Sequence, residues 1–121
     1  ASHYDMNTMV SVKGKVTKFK LINPHARIYF DVTTDTGEVQ KWLAEGNASA
    51  ILKRRGWTRK TLKPGDVITI SGNPAKDGTH KMDWKLIVME DGTEHRGGNT
   101  VAAERLRQLE ELEDRRRKQA E

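Results

Sequence analysis

At 121 residues, with 35% hydrophobic side chains, 32% charged ones and a mean hydropathy of −0.80, the chain carries enough apolar material for one modest core and too little for two. Its formal charge of +5 is compatible with nucleic acid, anionic lipid or an acidic partner, and no tight Lys/Arg cluster selects among them. The absence of cysteine excludes disulfides, thiolate metal sites and thiol nucleophiles, and no apolar run approaches membrane-spanning length or a signal-peptide core.

Residues 1–8 read as a short polar lead-in, and a start at Ala1 rather than Met implies that something upstream was removed, by a signal peptidase or by cloning. From Met9 onward Val10, Val12 and Val16 lie in one phase, with Gly14 between them, whereas Phe19 and Leu21 lie in the other. A slip of one residue inside a strand is the signature of a β-bulge, so the first strand is expected to be long and bent. Pro24 cannot donate to a ladder and pushes Asn23 toward an extended conformation, which starts the second strand at about His25. In that strand Ala26, Ile28, Phe30 and Val32 alternate with Arg27, Tyr29 and Asp31, giving one core face and one free face.

Thr34-Asp35-Thr36-Gly37 is a turn that returns the chain as a third strand, Glu38 to Ala44, with Val39, Lys41 and Leu43 on one face and Gln40, Trp42 and Ala44 on the other. A two-turn helix follows over residues 48–55, with Asn47 as its expected N-cap, Ile51 and Leu52 as anchors and Gly56 as its left-handed stop. The Lys63-Pro64-Gly65-Asp66 turn launches a fourth strand, Val67 to Gly72, and a loop containing Asp77-Gly78 leads into a fifth, His80 to Glu90, with Met82, Trp84, Leu86 and Val88 in phase. Asp35, Asp77 and Asp91 are expected to bond their own turns. After Gly97-Gly98, Asn99 or Thr100 can cap a final helix whose apolar stripe, Ala102, Leu106, Leu109 and Leu112, gives way to the i,i+4 pairs Glu111/Arg115, Glu113/Arg117 and Asp114/Lys118.

The order β-β-β-α-β-β with a bulged first strand is that of a mainly β, five-stranded OB-like barrel. The expected organisation is a lead-in (1–8), the barrel (9–92), a linker (93–99) and a charged C-terminal helix (100–121). From Glu104 on, six basic and six acidic residues cancel, so the net charge belongs to the rest of the chain.

No phosphate loop, zincin or nucleophile-elbow motif is present, so the reading is a non-enzymatic one. Two binding chemistries compete. Tyr29 and Trp42 with Arg27 and Lys41 form a sparse basic and aromatic surface of the kind that binds single-stranded nucleic acid or another anionic polymer. Ala1-Ser2-His3, with a free amine, supplies four nitrogens in a square plane, which suits Cu(II) or Ni(II).

The runs Asn23-Pro24-His25, Trp42-Leu43-Ala44-Glu45-Gly46, Arg54-Arg55-Gly56-Trp57-Thr58, Leu62-Lys63-Pro64-Gly65-Asp66 and Gly72-Asn73-Pro74-Ala75-Lys76-Asp77-Gly78 resemble an uncharacterised family of small exported bacterial proteins, over about residues 1–92. The resemblance implies a periplasmic β-barrel and directs attention to His3, His25, Trp42, Glu45 and Trp57; the second terminal His common in that family is replaced here by Ser2. Structural roles are also open to these residues: Trp57 as a staple after the helix, Glu45 as a partner of helix-end donors, His25 as a strand-start hydrogen bonder. The expected site is a small-ligand or metal site at the mouth framed by His25 and Glu45, lined by Arg27, Tyr29 and Trp42, with His3 folded over it and His25 as a further metal ligand. A third expectation is a protein partner taken through residues 100–121.

Overall fold

The computed structural model describes residues 3–97 and 100–120, the latter with side chains from Gln108 onward. Its elements are β1 (Val10–Lys20), β2 (Arg27–Thr33), β3 (Val39–Glu45), α1 (Ser49–Arg54), β4 (Val67–Pro74), β5 (Lys81–Met89), β6 (Glu94–Arg96) and α2 (Thr100–Ala120). Strand β1 pairs with both β2 and β4, β2 with β3, and β4 with β5, all antiparallel. Parallel pairing of β3 with β5 then closes the five-stranded OB-like barrel. The sixth strand, β6, adds to the outer edge of β5 within the segment expected to be a linker.

The expected bulge in β1 is present: Val16 pairs with Phe30 and Lys18 with Tyr29, leaving Thr17 unmatched. The Thr17 hydroxyl donates to the Tyr29 carbonyl at 3.2 Å. On the opposite edge, Val16 donates its N–H to the Asp66 carbonyl and accepts from the Gly65 N–H, each at 2.8 Å, so the Lys63–Asp66 turn carries the ladder past the bulge. A second bulge at Lys85 separates the pairs Gly72 with Trp84 and Ser71 with Leu86. Carbonyls at this bulge are satisfied from outside the β4–β5 ladder: Asn47 Nδ2 donates to Trp84 O at 3.0 Å and Gly97 N to Lys85 O at 2.8 Å. The bulge also shifts the core phase of β5 from Trp84 to Ile87, with Met89 packed alongside, so Val88 is not a core position.

The core joins Val16, Ile28, Phe30, Leu52, Leu62, Ile68, Ile70, Met82, Trp84 and Ile87. Two glycines let the strands approach. A Cβ on Gly14 would stand 2.7 Å from the Phe30 ring, and one on Gly72 would stand 2.7 Å from the Trp84 Cα. Helix α1 starts one residue later than expected: Ala48 is the N-cap, without a side-chain bond, while Asn47 sits at φ 65° and spends its amide on Trp84. The expected stop at Gly56 holds, with φ 91°. Gly56 N donates to Lys53 O and Trp57 N to Leu52 O, a Schellman closure whose Trp57 and Leu52 are both buried.

In α2 Asp114 pairs with both Arg117 (3.3 Å) and Lys118 (3.1 Å), so Arg117 meets Asp114 rather than Glu113. The proposed cap Asn99 and the side chains of Ala102 and Leu106 lie outside the described residues. No helix of the described residues is long and apolar enough to cross a membrane.

Gly72→Ala is expected to lower unfolding free energy by about 3 kcal/mol, because backbone stands where its Cβ would go. Gly56→Ala, which meets open space and has only its positive φ against it, is expected to cost about 1 kcal/mol. Urea unfolding of both variants, compared at equal m, checks the order.

Candidate functional site

Strands β3 and β5 stay paired only over Leu43–Glu45 and Lys81–Asp83, with one further bond from Leu43 N to His80 O at 3.0 Å. Below that point they part, and the 75–80 loop between β4 and β5 stands off the edge of β3. Asp77 holds the loop's shape: its Oδ1 accepts from Thr79 N at 3.0 Å and from Thr79 Oγ1 at 2.6 Å. These bonds hold the Asp77 carboxyl below its ordinary pKa, as comparable bonds do for Asp91 with Thr93 and for Asp5 with Thr8 and Asn7.

Two clefts flank the loop and share Thr79 and Lys81. The larger, about 490 Å³, is lined by Tyr29, Lys41, Trp42, Leu43, His80 and Lys81 among others. Trp42 lies on the inner face opposite Phe30, with ring centroids 6.0 Å apart, and His80 stacks on the indole at 5.1 Å and 13°. Phe30, Trp42 and His80 therefore make a column of rings from the core to the surface, where His80 is exposed. Trp42 Nε1 donates to Gln40 Oε1 at 3.2 Å, which fixes the indole in the column. Tyr29 and Leu43, paired on the outer face, form the cleft's other wall, with the Lys20 ammonium 6.0 Å from the Tyr29 ring.

The second cleft, about 350 Å³, is lined by His3, Tyr4, Glu45, Lys76, Asp77 and Lys81 among others. The N-terminal segment is tied here by a bridge from Tyr4 to Ala75 and by bonds from Asp5 N to Pro74 O (2.8 Å) and from Lys76 N to His3 O (3.0 Å). The Tyr4 hydroxyl donates to Glu45 Oε1. Burial, then that bond, then the charges of Glu45 and Asp83 push the Tyr4 phenol well above its ordinary range, against the opposing charge of Arg27.

The site differs from the one expected. His25 is exposed in the loop before β2, which begins at Arg27 rather than His25, and His25 lines neither cleft. The ladder starts late because the preceding residues are claimed by the 45–49 turn: Ala26 N donates to Asn47 O at 2.9 Å and the buried Ser49 hydroxyl donates to Asn23 Oδ1. Glu45 is held by Tyr4 and, at 3.9 Å, by Arg27, not by helix-end donors. Tyr29, Lys41 and Trp42 do meet, and His3 reaches the Glu45 cleft. Ala1 and Ser2, the other two residues of the copper and nickel motif, lie outside the described residues. No cluster of three or more His, Asp or Glu side chains capable of holding a metal occurs among the described residues. His80, Lys81 and Tyr4 are the additions; a periodicity reading gives them a strand start and a lead-in, and only the loop's position joins them.

Fold and clefts together define an OB-like barrel with two adjoining clefts beside the loop between the last two barrel strands, and a separate cleft of about 510 Å³ at the α1–β6 end lined by Trp57, His95 and Arg96 among others. The chain belongs to a family of unknown function (DUF6152), whose model matches residues 1–83, from the N-terminal segment into β5. No curated protein matches it.

Two outcomes follow. Trp57 and Trp84 are 5% and 0% exposed, so quenching by acrylamide is expected to come from Trp42 and to be largely lost in Trp42→Phe. Because the Tyr4 phenol is raised, its contribution to stability is present below the ordinary phenol pKa and is lost as pH climbs beyond it. An alkaline absorbance titration should show a delayed ionisation that disappears in Tyr4→Phe and survives in Tyr29→Phe.

Proposed function

We propose that this protein is a non-enzymatic binding module that takes a small planar anion in the cleft between β3 and the 75–80 loop. The observation that carries the reading is the stacking of Phe30 with Trp42 and of Trp42 with His80, which ends in an exposed imidazole in a cleft that Lys41 and Lys81 also line. A planar ligand extends such a stack, while the Lys81 ammonium favours negative charge on its rim; Lys41 lines the same cleft with its ammonium 3.5 Å from Asp31. OB barrels take their ligands on this same face and loop. The periplasmic setting is proposed from the motif resemblance.

One observation favours a second reading, an anionic polymer such as single-stranded nucleic acid. Strand register sets Lys15, Lys18 and Lys20 of β1 beside Asp31, Tyr29 and Arg27 of β2, so a basic margin borders the cleft. Salt separates the two: a polymer that displaces counterions loses affinity steeply with ionic strength, and a monovalent ligand loses little.

Naphthalene-2-sulfonate is a suitable probe, followed by quenching of Trp42 fluorescence. Binding is expected to be saturable and absent with cyclohexanesulfonate. His80→Leu should abolish it, and Lys81→Gln should weaken it by about fivefold, the ~1 kcal/mol upper range of an exposed ion pair. Equal affinity for the two sulfonates would overturn the stacking reading.

A further inference from the structure

The end of α1 and the connector behind it carry the molecule's excess charge. Lys53, Arg54, Arg55, Arg59, Lys60 and Lys63 stand within eleven residues, and no Asp or Glu occurs between Gly46 and Gly65, so the rest of the chain is close to neutral. The expectation of no tight Lys/Arg cluster is corrected by the fold, because the apolar residues that interrupt these bases point inward. Leu52, Trp57 and Leu62, five residues apart, are 0%, 5% and 1% exposed and pin the segment to the core, whereas all six bases are exposed. The segment is also held in shape. Thr61 N donates to Thr58 O at 3.1 Å, Thr58 N to Thr61 Oγ1 at 2.9 Å, Lys60 N to Thr58 Oγ1 at 3.1 Å and Lys63 N to Asp66 Oδ2 at 2.9 Å. Among the described residues no carboxylate pairs with the side chains of Lys53, Arg54, Arg59, Lys60 or Lys63. Like charges gathered without counter-charges repel one another, and an external anionic surface relieves that repulsion.

Two observations select among polyanions. The segment's one aromatic ring, Trp57, is buried against Phe19, Trp84 and His95, so it offers no platform for a stacked base. Ile51, by contrast, is 39% exposed on α1, with Arg54 and the C-cap Arg55 one turn along the same side. An apolar side chain flanked by guanidinium groups matches the boundary between lipid headgroups and acyl chains. We propose that residues 51–63 form a docking surface for an anionic phospholipid bilayer, the bases meeting its phosphates and Ile51 entering the headgroup layer. This surface shares no residue with the planar-anion cleft.

The test is sedimentation of the full chain with vesicles of phosphatidylcholine, either alone or with about one-third phosphatidylglycerol. Binding is expected only to the anionic vesicles and should fall with added salt. Arg54→Gln, Arg59→Gln and Lys60→Gln combined should weaken it about 100-fold, roughly fivefold for each cation at the surface. Lys13→Gln, Arg115→Gln and Arg116→Gln combined remove the same charge at other exposed positions and should weaken it by no more than about threefold. Because the chain has no cysteine, Ile51→Cys and Val39→Cys each accept a single environment-sensitive fluorophore. Anionic vesicles should shift emission to the blue from position 51 and leave it unchanged at position 39, another exposed apolar site. Equal binding to neutral vesicles, equal weakening by the two triple variants, or an unmoved signal at position 51 would overturn the proposal. So would tighter binding to a duplex oligonucleotide or to polyglutamate than to the anionic vesicles.

Discussion

The closure of β3 against β5 is the constraint on which the rest of the molecule depends. Bringing a five-stranded sheet round on itself requires strands to bend and backbones to touch, and the chain meets both needs with few residues. Thr17 and Lys85 are the unmatched residues of two bulges, and Gly14 and Gly72 remove the side chains that would hold neighbouring strands apart. Only three residue pairs form the parallel seam. Because the seam is that short, the lower half of β3 is left without a partner on that side, and the 75–80 loop stands over the gap. The cleft is a consequence of how the barrel closes.

That geometry also decides which side chains meet there. Trp42 points inward by strand alternation, so its ring completes the core against Phe30 and still reaches the unclosed edge, where His80 covers it. Tyr29 and Lys41 approach from the outer face of the same two strands. The carboxylates nearby are already engaged, Asp31 with Lys41 at 3.5 Å and Glu45 with Tyr4 and Arg27. The cleft is lined by the rings of Tyr29, Trp42 and His80 with the ammonium groups of Lys81 and of Lys41, the latter offset by Asp31, which is the basis of the ligand class proposed.

Much of the fold was legible from periodicity and turn chemistry. The Val-to-Phe phase slip located the β1 bulge, Gly56 the helix stop, and the β-β-β-α-β-β order the barrel. What escaped has physical causes. Strand β6 is three residues long, too short to show alternation. Asn47 has the right chemistry for a cap, but tertiary structure takes its amide for Trp84 O at the second bulge, a carbonyl no local reading could identify. His25 drew attention because it follows Pro24 at an expected strand mouth; the bonds from Ala26 and to Asn23 that delay β2 come from a turn twenty residues away. The motif residues Asn23, Gly46, Trp57 and Asp66 act in folding: Asn23 receives Ser49, Gly46 makes room for Asp83, Trp57 closes α1 and Asp66 holds β1. The ring column escaped, since the sequence reading grouped Trp42 with Tyr29 rather than with Phe30, its cross-strand partner, and His80 joins Trp42 only across the barrel's closing seam.

The most direct test of the account is a backbone amide chemical-shift map of the ¹⁵N-labelled chain titrated with naphthalene-2-sulfonate. The account predicts perturbations confined to Tyr29, Lys41 to Leu43 and Thr79 to Lys81, the residues on the two sides of the open seam. Perturbations centred instead on Trp57 and His95 at the α1 end, or none at saturating probe, would contradict it.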